Sequence, residues 1–123
     1  MRSEETVVEW LPKIGAGLTL LFGVIGFFKP RLLLDQLDIE LKSPTAVSEA
    51  RAVFGGLNLG MAIAAFTLGE PAIFTALGIT WGVLTLARLY ALAVDGIGLK
   101  GAIPGIVVDG TLCFLFLAPL ILG

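Results

Sequence analysis

The sequence predicts an all-α integral membrane protein, a four-helix bundle with a short interfacial amphipathic segment between helices one and two. Of its 123 residues, 57% are hydrophobic and 15% are charged, whereas soluble domains have about 45–50% apolar and about 25% charged residues. The mean hydropathy is +0.99. The apolar residues form four blocks, each close to the roughly 20 residues that a helix needs to cross a bilayer. The predicted spans cover about 10–28, 46–68, 71–94 and 103–122, and the interfacial segment covers about 30–42.

The composition also excludes several functional classes. The chain has no His and one Cys, Cys113, so it cannot build a Cys/His zinc site, an intramolecular disulfide or a Ser-His-Asp triad. We therefore expect no metal and no cofactor. A net charge of −2 argues against nucleic-acid binding, because there is no basic excess to neutralise phosphates. The short connections leave no room for a soluble catalytic domain, and residues 1–123 are predicted to form a single transmembrane domain.

The first span is predicted to start with a disturbance of the helix. Pro12 cannot donate a backbone hydrogen bond, so we expect a short interfacial turn there, with the span proper beginning near Lys13. Small residues then recur at helical spacing, which lets a neighbouring helix approach closely. These residues are Gly15, Thr19, Gly23 and Gly26.

The segment that follows is amphipathic and too polar to cross a membrane. Read as a helix, it places Arg31 and Asp35 one turn apart, where they could pair. Such a helix lies in the interface. Its second half alternates between apolar and polar residues from Leu37 to Leu41, so an extended exit is an equal alternative there.

Turn and capping signals separate the remaining spans. Ser43 and Pro44 form an N-cap and first-turn pair for the second span. Residues 69–71 turn the chain into the third span, residues 95–98 end that span, and Pro104 falls near the first turn of the fourth.

Glycines spaced four residues apart predict where helices approach closely. We expect the seams of the second and third spans to pack against each other, with a homo-oligomer or a partner subunit as the alternative. The predicted helix-packing residues are Gly23, Gly56, Gly60, Gly78, Gly82 and Gly105.

The distribution of Lys and Arg predicts the orientation. The side that holds both termini carries Arg2 and Lys13, and the opposite side carries Lys29, Arg31, Lys42, Arg51 and Lys100. The connections after spans one and three should therefore face the cytoplasm. Together with the apolar composition, this predicts a bacterial inner-membrane protein with both termini outside the cytoplasm.

Ionisable residues inside the spans are the strongest indication of a site, because a charge at the bilayer centre costs at least about 2.5–3.5 kcal/mol. Spans two and four begin on the side where span three ends, so the polar groups of all three should lie in the same half of the bundle. The predicted polar cluster consists of Glu49, Arg51, Asn58, Arg88, Asp95 and Asp109.

Within this cluster a buried Arg needs a carboxylate partner. We expect Arg88 to pair with Asp109, and Arg51 to pair near Glu49 or with Asp109. The cluster could simply hold the helices together, or it could bind the head of an amphiphile. Trp81 shares a helical face with Arg88 and is expected to pack in the core.

The residues of the second, third and fourth spans resemble the pattern of a known family. Glu49-Ala50-Arg51 opens a Gly-rich second helix, Arg88 lies late in the third, and an acid follows 21 residues later. This pattern resembles the domain-of-unknown-function family 4345, small bacterial membrane proteins with four expected helices, over about residues 15–120. By this resemblance, Glu49, Arg51 and Arg88 match positions of the family pattern. Asp109 stands where the resemblance implies glutamate. The resemblance implies no activity.

Three functions from different classes follow. The first is a non-enzymatic module that binds a lipid or other amphiphile, or serves as an accessory subunit of a larger membrane complex. The alternative is a membrane-embedded isomerase or cyclase with Asp109 or Glu49 as acid or base. Neighbouring arginines favour the ionised carboxylate, which disfavours this role. The third is an oligomeric ion or solute pathway, which would need polar residues along a whole face. Expected partners are membrane lipids, a lipophilic small molecule, a membrane protein or a second copy.

Overall fold

The computed structural model describes the backbone of residues 3–123 and the side chains from Val7 onward. The described chain is all-α. Its five helices are α1 Ser3–Phe28, α2 Pro30–Asp35, α3 Pro44–Leu68, α4 Pro71–Val94 and α5 Leu99–Leu122. The long helices α1, α3, α4 and α5 are each long and apolar enough to cross a membrane, and no more than 33% of the most apolar window of any of them is buried within the chain. Their outward faces are apolar, as an integral membrane protein requires. The predicted fold class is confirmed.

The helices form two compact units. One unit, called here the terminal unit, contains the chain up to Gly15 together with Glu70–Gly123. The other, called here the inner unit, contains Ala16–Gly69. The prediction of a single domain over 1–123 stays a prediction. Arg2, which entered the orientation argument, lies outside the described residues.

Helix α1 corrects the prediction of a turn at Pro12. The helix runs without interruption from Ser3 to Phe28, and Pro12 lies buried inside it. The proline removes one backbone hydrogen bond, but membrane helices tolerate this loss where neighbouring structure covers the freed carbonyl. The span therefore does not begin after Pro12.

The interfacial segment is helical only in its first half. Helix α2 begins with Pro30 at its first turn and ends at Asp35. Asp38 then adopts a left-handed conformation, with φ 58°, which Asp tolerates better than most residues. The segment leaves this turn in an irregular path to Ser43. The Arg31 guanidinium donates to the Leu41 carbonyl at 2.9 Å, so its partner is the backbone rather than Asp35.

Helix α3 contains a feature that the sequence did not reveal. It begins as predicted, with the Ser43 hydroxyl accepting a hydrogen bond from the Ala46 N–H at 3.1 Å. Between Pro44–Ala50 and Asn58–Leu68, the residues Arg51–Leu57 form a π-helical segment. Such wide turns are rare and frequently occur at functional sites. Gly69 closes the helix in the left-handed conformation, φ 58°, which glycine adopts without strain.

Helices α4 and α5 pack antiparallel in the terminal unit. A Cβ on Gly78 would meet the Leu117 side chain. One turn further, a Cβ on Gly82 would lie 3.2 Å from the Cys113 Sγ. Helix α5 begins at Leu99, after Gly98 in extended conformation, and so carries Pro104 inside it. This start is earlier than predicted, because a proline close to a helix start costs only one hydrogen bond.

Candidate functional site

The terminal unit holds an ion pair between two spans. The Arg88 Nε donates to the Asp109 Oδ2, joining α4 to α5. The Asp109 side chain is only 4% exposed, whereas the Arg88 side chain is 38% exposed. Arg88 lies about six residues before the end of α4, or roughly 9 Å along the helix. The predicted pairing of these two residues is present.

Gly105 makes room for this pair. It lies one turn before Asp109 on the same face of α5 and is buried. A Cβ at this position would lie 2.6 Å from the Arg88 Nη1 and 2.8 Å from its Cζ. The guanidinium therefore lies directly against the α5 backbone. A side chain at Gly105 would displace the guanidinium from the position in which it reaches the short Asp109 carboxylate.

Arg51 of the inner unit bonds to the backbone rather than to a carboxylate. The Arg51 guanidinium donates to the Phe27 carbonyl, in the last turn of α1. Carbonyls in the last turn of a helix lack helical partners and form the negative end of its dipole. Within the inner unit the partner of Arg51 is thus a backbone carbonyl and not an acid near Glu49, while the alternative that Arg51 pairs with Asp109 of the terminal unit stays a prediction. Glu49 is exposed and lies on the other side of α3, because two residues correspond to about 200° of helical rotation.

Close backbone contact surrounds the Arg51 hydrogen bond. A Cβ on Gly26 would lie 2.7 Å from the Phe54 carbonyl carbon, and a Cβ on Gly55 would overlap the backbone of Phe27. The C-terminal end of α1 and the π-helical segment therefore touch without intervening side chains. This approach places the α1 carbonyl within reach of Arg51.

Asn58 lies buried where the π-helical segment returns to α-helix. Its Nδ2 donates to the Phe54 carbonyl at 2.7 Å. A change from i+5 to i+4 hydrogen bonding skips a carbonyl, and a side-chain amide is a suitable extra donor at that point. The local partners therefore give Asn58 a role in the shape of α3.

The six predicted cluster residues thus have different local partners. Arg88 and Asp109 bond to each other, and Arg51 and Asn58 each bond to a backbone carbonyl. Glu49 and Asp95 are exposed. The gathering of all six in one cluster stays a prediction.

An open cleft in the inner unit was missed by the sequence analysis. It has a volume of about 390 Å³. Its lining combines three cations with four apolar side chains and contains no acid, and we call it the basic cleft. The lining residues are Phe28, Lys29, Pro30, Arg31, Leu32, Val47 and Arg51. The available signal was Lys29-Pro30-Arg31 directly after the first span, which indicates an orientation and an amphipathic segment but does not by itself predict a site.

Helix periodicity explains how the acids are kept out of this lining. Val47 and Arg51 are four residues apart and share a face of α3, while Glu49 between them points elsewhere and is exposed. Lys29 and Arg31 flank the buried Pro30 where α1 gives way to α2. The cleft therefore carries a formal charge of +3 from its three basic residues.

Trp81 and the acidic and thiol side chains of the described residues were the remaining candidates for a ligand or metal site. Trp81 is 7% exposed, and its Nε1 has no partner among the described residues. The described residues contain no group of three Asp, Glu or Cys side chains that could hold a metal. Trp81 therefore packs in the core, as predicted.

The glycine seam of the third span has a neighbour within the terminal unit. Gly78 and Gly82 face Leu117 and Cys113 of α5. A Cβ on Gly56 or Gly60 would meet no described atom of the inner unit within 4 Å. The prediction that the seams of the second and third spans pack against each other stays a prediction.

Comparison with known proteins places this arrangement in a family. No curated protein and no solved structure matches the chain. A family model described as "Domain of unknown function (DUF4345)" matches residues 7–120, which include Arg51, Arg88, Asp109 and the whole basic cleft. The chain therefore belongs to the DUF4345 family of domains of unknown function.

Proposed function

We propose that this protein is a non-enzymatic membrane module that binds an amphiphile with an anionic head group in the basic cleft. The observation that carries the proposal is the lining of the cleft, where Lys29, Arg31 and Arg51 lie beside apolar side chains and no acid. An anionic head group would meet the cations. Its hydrocarbon would continue along the apolar outer faces of the spans.

The position of the cleft at the end of α1 supports this proposal. Lys29 and Arg31 are exposed where the first span ends, at the level where lipid head groups lie in a membrane. Each basic residue near an anionic membrane surface contributes about 1 kcal/mol of attraction. Three in one cleft form a localised site of positive potential.

The predicted ligand site at Arg88 and Asp109 is replaced by this cleft. Their charges neutralise each other, and the Arg88 guanidinium lies against Gly105. The pair is best assigned to holding α4 and α5 together. The enzymatic alternative loses support for the same reason, because Asp109 is engaged by Arg88 and Glu49 is exposed outside the cleft lining.

An accessory-subunit role would use other surfaces. Within the inner unit no described atom covers Gly56 or Gly60 of α3, so this face could accept a second copy or a partner helix. This role requires a partner chain that purifies with the protein, whereas the amphiphile-binding role does not.

The orientation belongs to the same proposal. We place the basic cleft in the cytoplasmic leaflet of a bacterial inner membrane, with both termini outside, because Lys and Arg concentrate on that side. Single cysteines replacing Ser43 and Gly123 in a Cys113→Ser background test this placement. A membrane-impermeant maleimide should label position 123 in intact cells and position 43 only after lysis. The reverse pattern would overturn the orientation.

Native mass spectrometry of the gently purified chain tests amphiphile binding. We expect a stoichiometric anionic lipid on the wild type, reduced at least tenfold in Lys29→Ala/Arg31→Ala. The matched control is Lys13→Ala/Lys100→Ala, which removes the same charge from exposed sites of the terminal unit and should keep the lipid. A chain that carries no lipid, or equal loss in the control, would contradict the proposal.

A further inference from the structure

We infer that the basic cleft recognises a phosphomonoester head group, one with a terminal phosphate, in preference to a phosphodiester. This inference rests on the proposed function and specifies the chemistry of the ligand. Its basis is the number of cations in the cleft, the donors they have left and the absence of acids from the lining.

The remaining hydrogen-bond donors suit a terminal phosphate. Arg31 uses its Nη1 on the Leu41 carbonyl, at 2.9 Å, and Arg51 uses its Nη1 on the Phe27 carbonyl. Each guanidinium therefore keeps its Nε and Nη2 donors, the edge that binds two oxygens of one phosphate at once. Lys29 adds an ammonium group with three donors.

A terminal phosphate has the oxygens that these donors require. A phosphomonoester presents three unesterified oxygens and carries up to two negative charges. A phosphodiester presents two such oxygens and one charge. Two arginine edges and an ammonium group therefore match the three unesterified oxygens and two charges of a monoester better than the two oxygens and single charge of a diester. The difference lies in the acceptors, since the apolar chains of the two lipid types can be identical.

The acidic residues near the cleft do not line it, so its positive charge stays available to a ligand. The carboxylates of the neighbouring segments are exposed and none lines the cleft. These residues are Asp35 on α2, Asp38 and Glu40 in the connection, and Glu49 on α3. Lys42 is the other nearby charge and is also basic.

The apolar lining gives the hydrocarbon a way out of the cleft. Phe28 and Leu32 are 68% and 54% exposed, so they form an exposed apolar edge beside the cations. The buried Pro30 and the half-buried Val47 form the inner wall. A phosphate seated among the cations can therefore keep its acyl or prenyl chain in the membrane.

Titration with two lipids tests the inference. The full chain in phosphatidylcholine nanodiscs is titrated with dioleoyl phosphatidic acid, a monoester, and dioleoyl phosphatidylglycerol, a diester. At pH 7.5 the monoester should bind at least tenfold more tightly. The second ionisation of a phosphomonoester has a pKa of about 6, so this preference should shrink severalfold at pH 5.5. The diester keeps one charge at both pH values and reports any change in the protein itself.

Three controls separate the outcomes. Lys29→Ala/Arg31→Ala should lose the preference for the monoester, and Lys13→Ala/Lys100→Ala should keep it. Equal affinity for both lipids would overturn the inference while leaving amphiphile binding intact. Binding of neither lipid would overturn both. If soluble glycerol 3-phosphate competes as well as the lipid, recognition of a monoester is supported. The proposal that the ligand is an amphiphile is then overturned, because the hydrocarbon chains of the lipid contribute nothing to binding.

Discussion

Arg88 and Arg51 both lie within membrane spans, and each solves the problem of an intramembrane charge in its own way. Arg88 bonds to the buried Asp109 carboxylate, so the two charges cancel. Arg51 bonds to a neutral carbonyl at the end of α1, so its positive charge remains. Removing a charge from water is costly unless it is paired, which explains why the uncancelled arginine also lines an open cleft.

The difference assigns different roles to two similar residues. A neutral pair between two helices has little net attraction left for a third group, so it serves the structure. A charge held by the partial negative end of a helix keeps most of its attraction for an anion. An arginine in a span is therefore informative only when its partner is known.

The largest effect should come from breaking the neutral pair. Arg88→Met alone leaves the buried Asp109 carboxylate without its partner and should lower the free energy of unfolding by about 3–5 kcal/mol. Asp109→Leu alone leaves Arg88 unpaired, and its loss should be smaller because that side chain is 38% exposed. Arg88→Met/Asp109→Leu should be more stable than either single variant. SDS titration of the purified protein in mixed micelles, followed by helical circular dichroism, measures this. A double variant no more stable than the single variants would contradict the pairing.

A smaller loss of stability is expected when the hydrogen bond between Arg51 and the Phe27 carbonyl is removed. Arg51→Met removes a charged hydrogen bond and should cost about 1.5–3 kcal/mol. Arg31→Met is the matched control, because it removes an arginine bond to the Leu41 carbonyl, which lies outside any helix, and should cost about 0.5–1 kcal/mol. Equal losses of unfolding free energy for the two variants in the same SDS titration would contradict the special role assigned to the end of α1.

The backbone contact beside Arg51 offers a test with adjacent residues. Gly55→Ala places a methyl group against the Phe27 backbone and should cost about 1–3 kcal/mol. Gly56→Ala meets no described atom within 4 Å and should be neutral or stabilising by up to about 1 kcal/mol. Thermal unfolding of both variants side by side decides the point, and a Gly56→Ala loss as large as that of Gly55→Ala would show that this face is covered.

The smallest effect should be at Trp81 in the terminal unit. Trp81→Phe removes a buried N–H donor that has no partner among the described residues, which favours the folded state. This gain offsets the packing that is lost with the smaller ring. The net change should stay within about 1 kcal/mol. Trp10→Phe at an exposed position controls for loss of an indole. A loss above about 2 kcal/mol would show that the indole N–H is bonded in the folded protein.

The fold was predictable because bilayer thickness sets the length of an apolar helix. The pairing of Arg88 with Asp109 was predictable for a similar reason, since antiparallel spans bring late residues of one beside early residues of the next. The role of Arg51 was not predictable. It depends on the π-helical segment, which changes the helical register, and on a backbone carbonyl, which leaves no trace in the side-chain pattern.

The basic cleft was missed for a different reason. Its cations come from two separate stretches of the chain, Lys29 and Arg31 at the start of α2 and Arg51 on α3. The sequence pattern assigns the first two to the end of a span and an interfacial segment, where basic residues are ordinary. Only the contact of the π-helical segment with α1 shows that the three line one space.

The contact of Gly105 with the Arg88 guanidinium has an evolutionary consequence. Asp109 is one methylene shorter than the glutamate that the resemblance implies, so here the guanidinium must come to the α5 backbone, which only glycine permits. A glutamate could reach further and release that requirement. Position 105 should therefore covary with position 109 across the family, with glycine accompanying aspartate and larger residues accompanying glutamate.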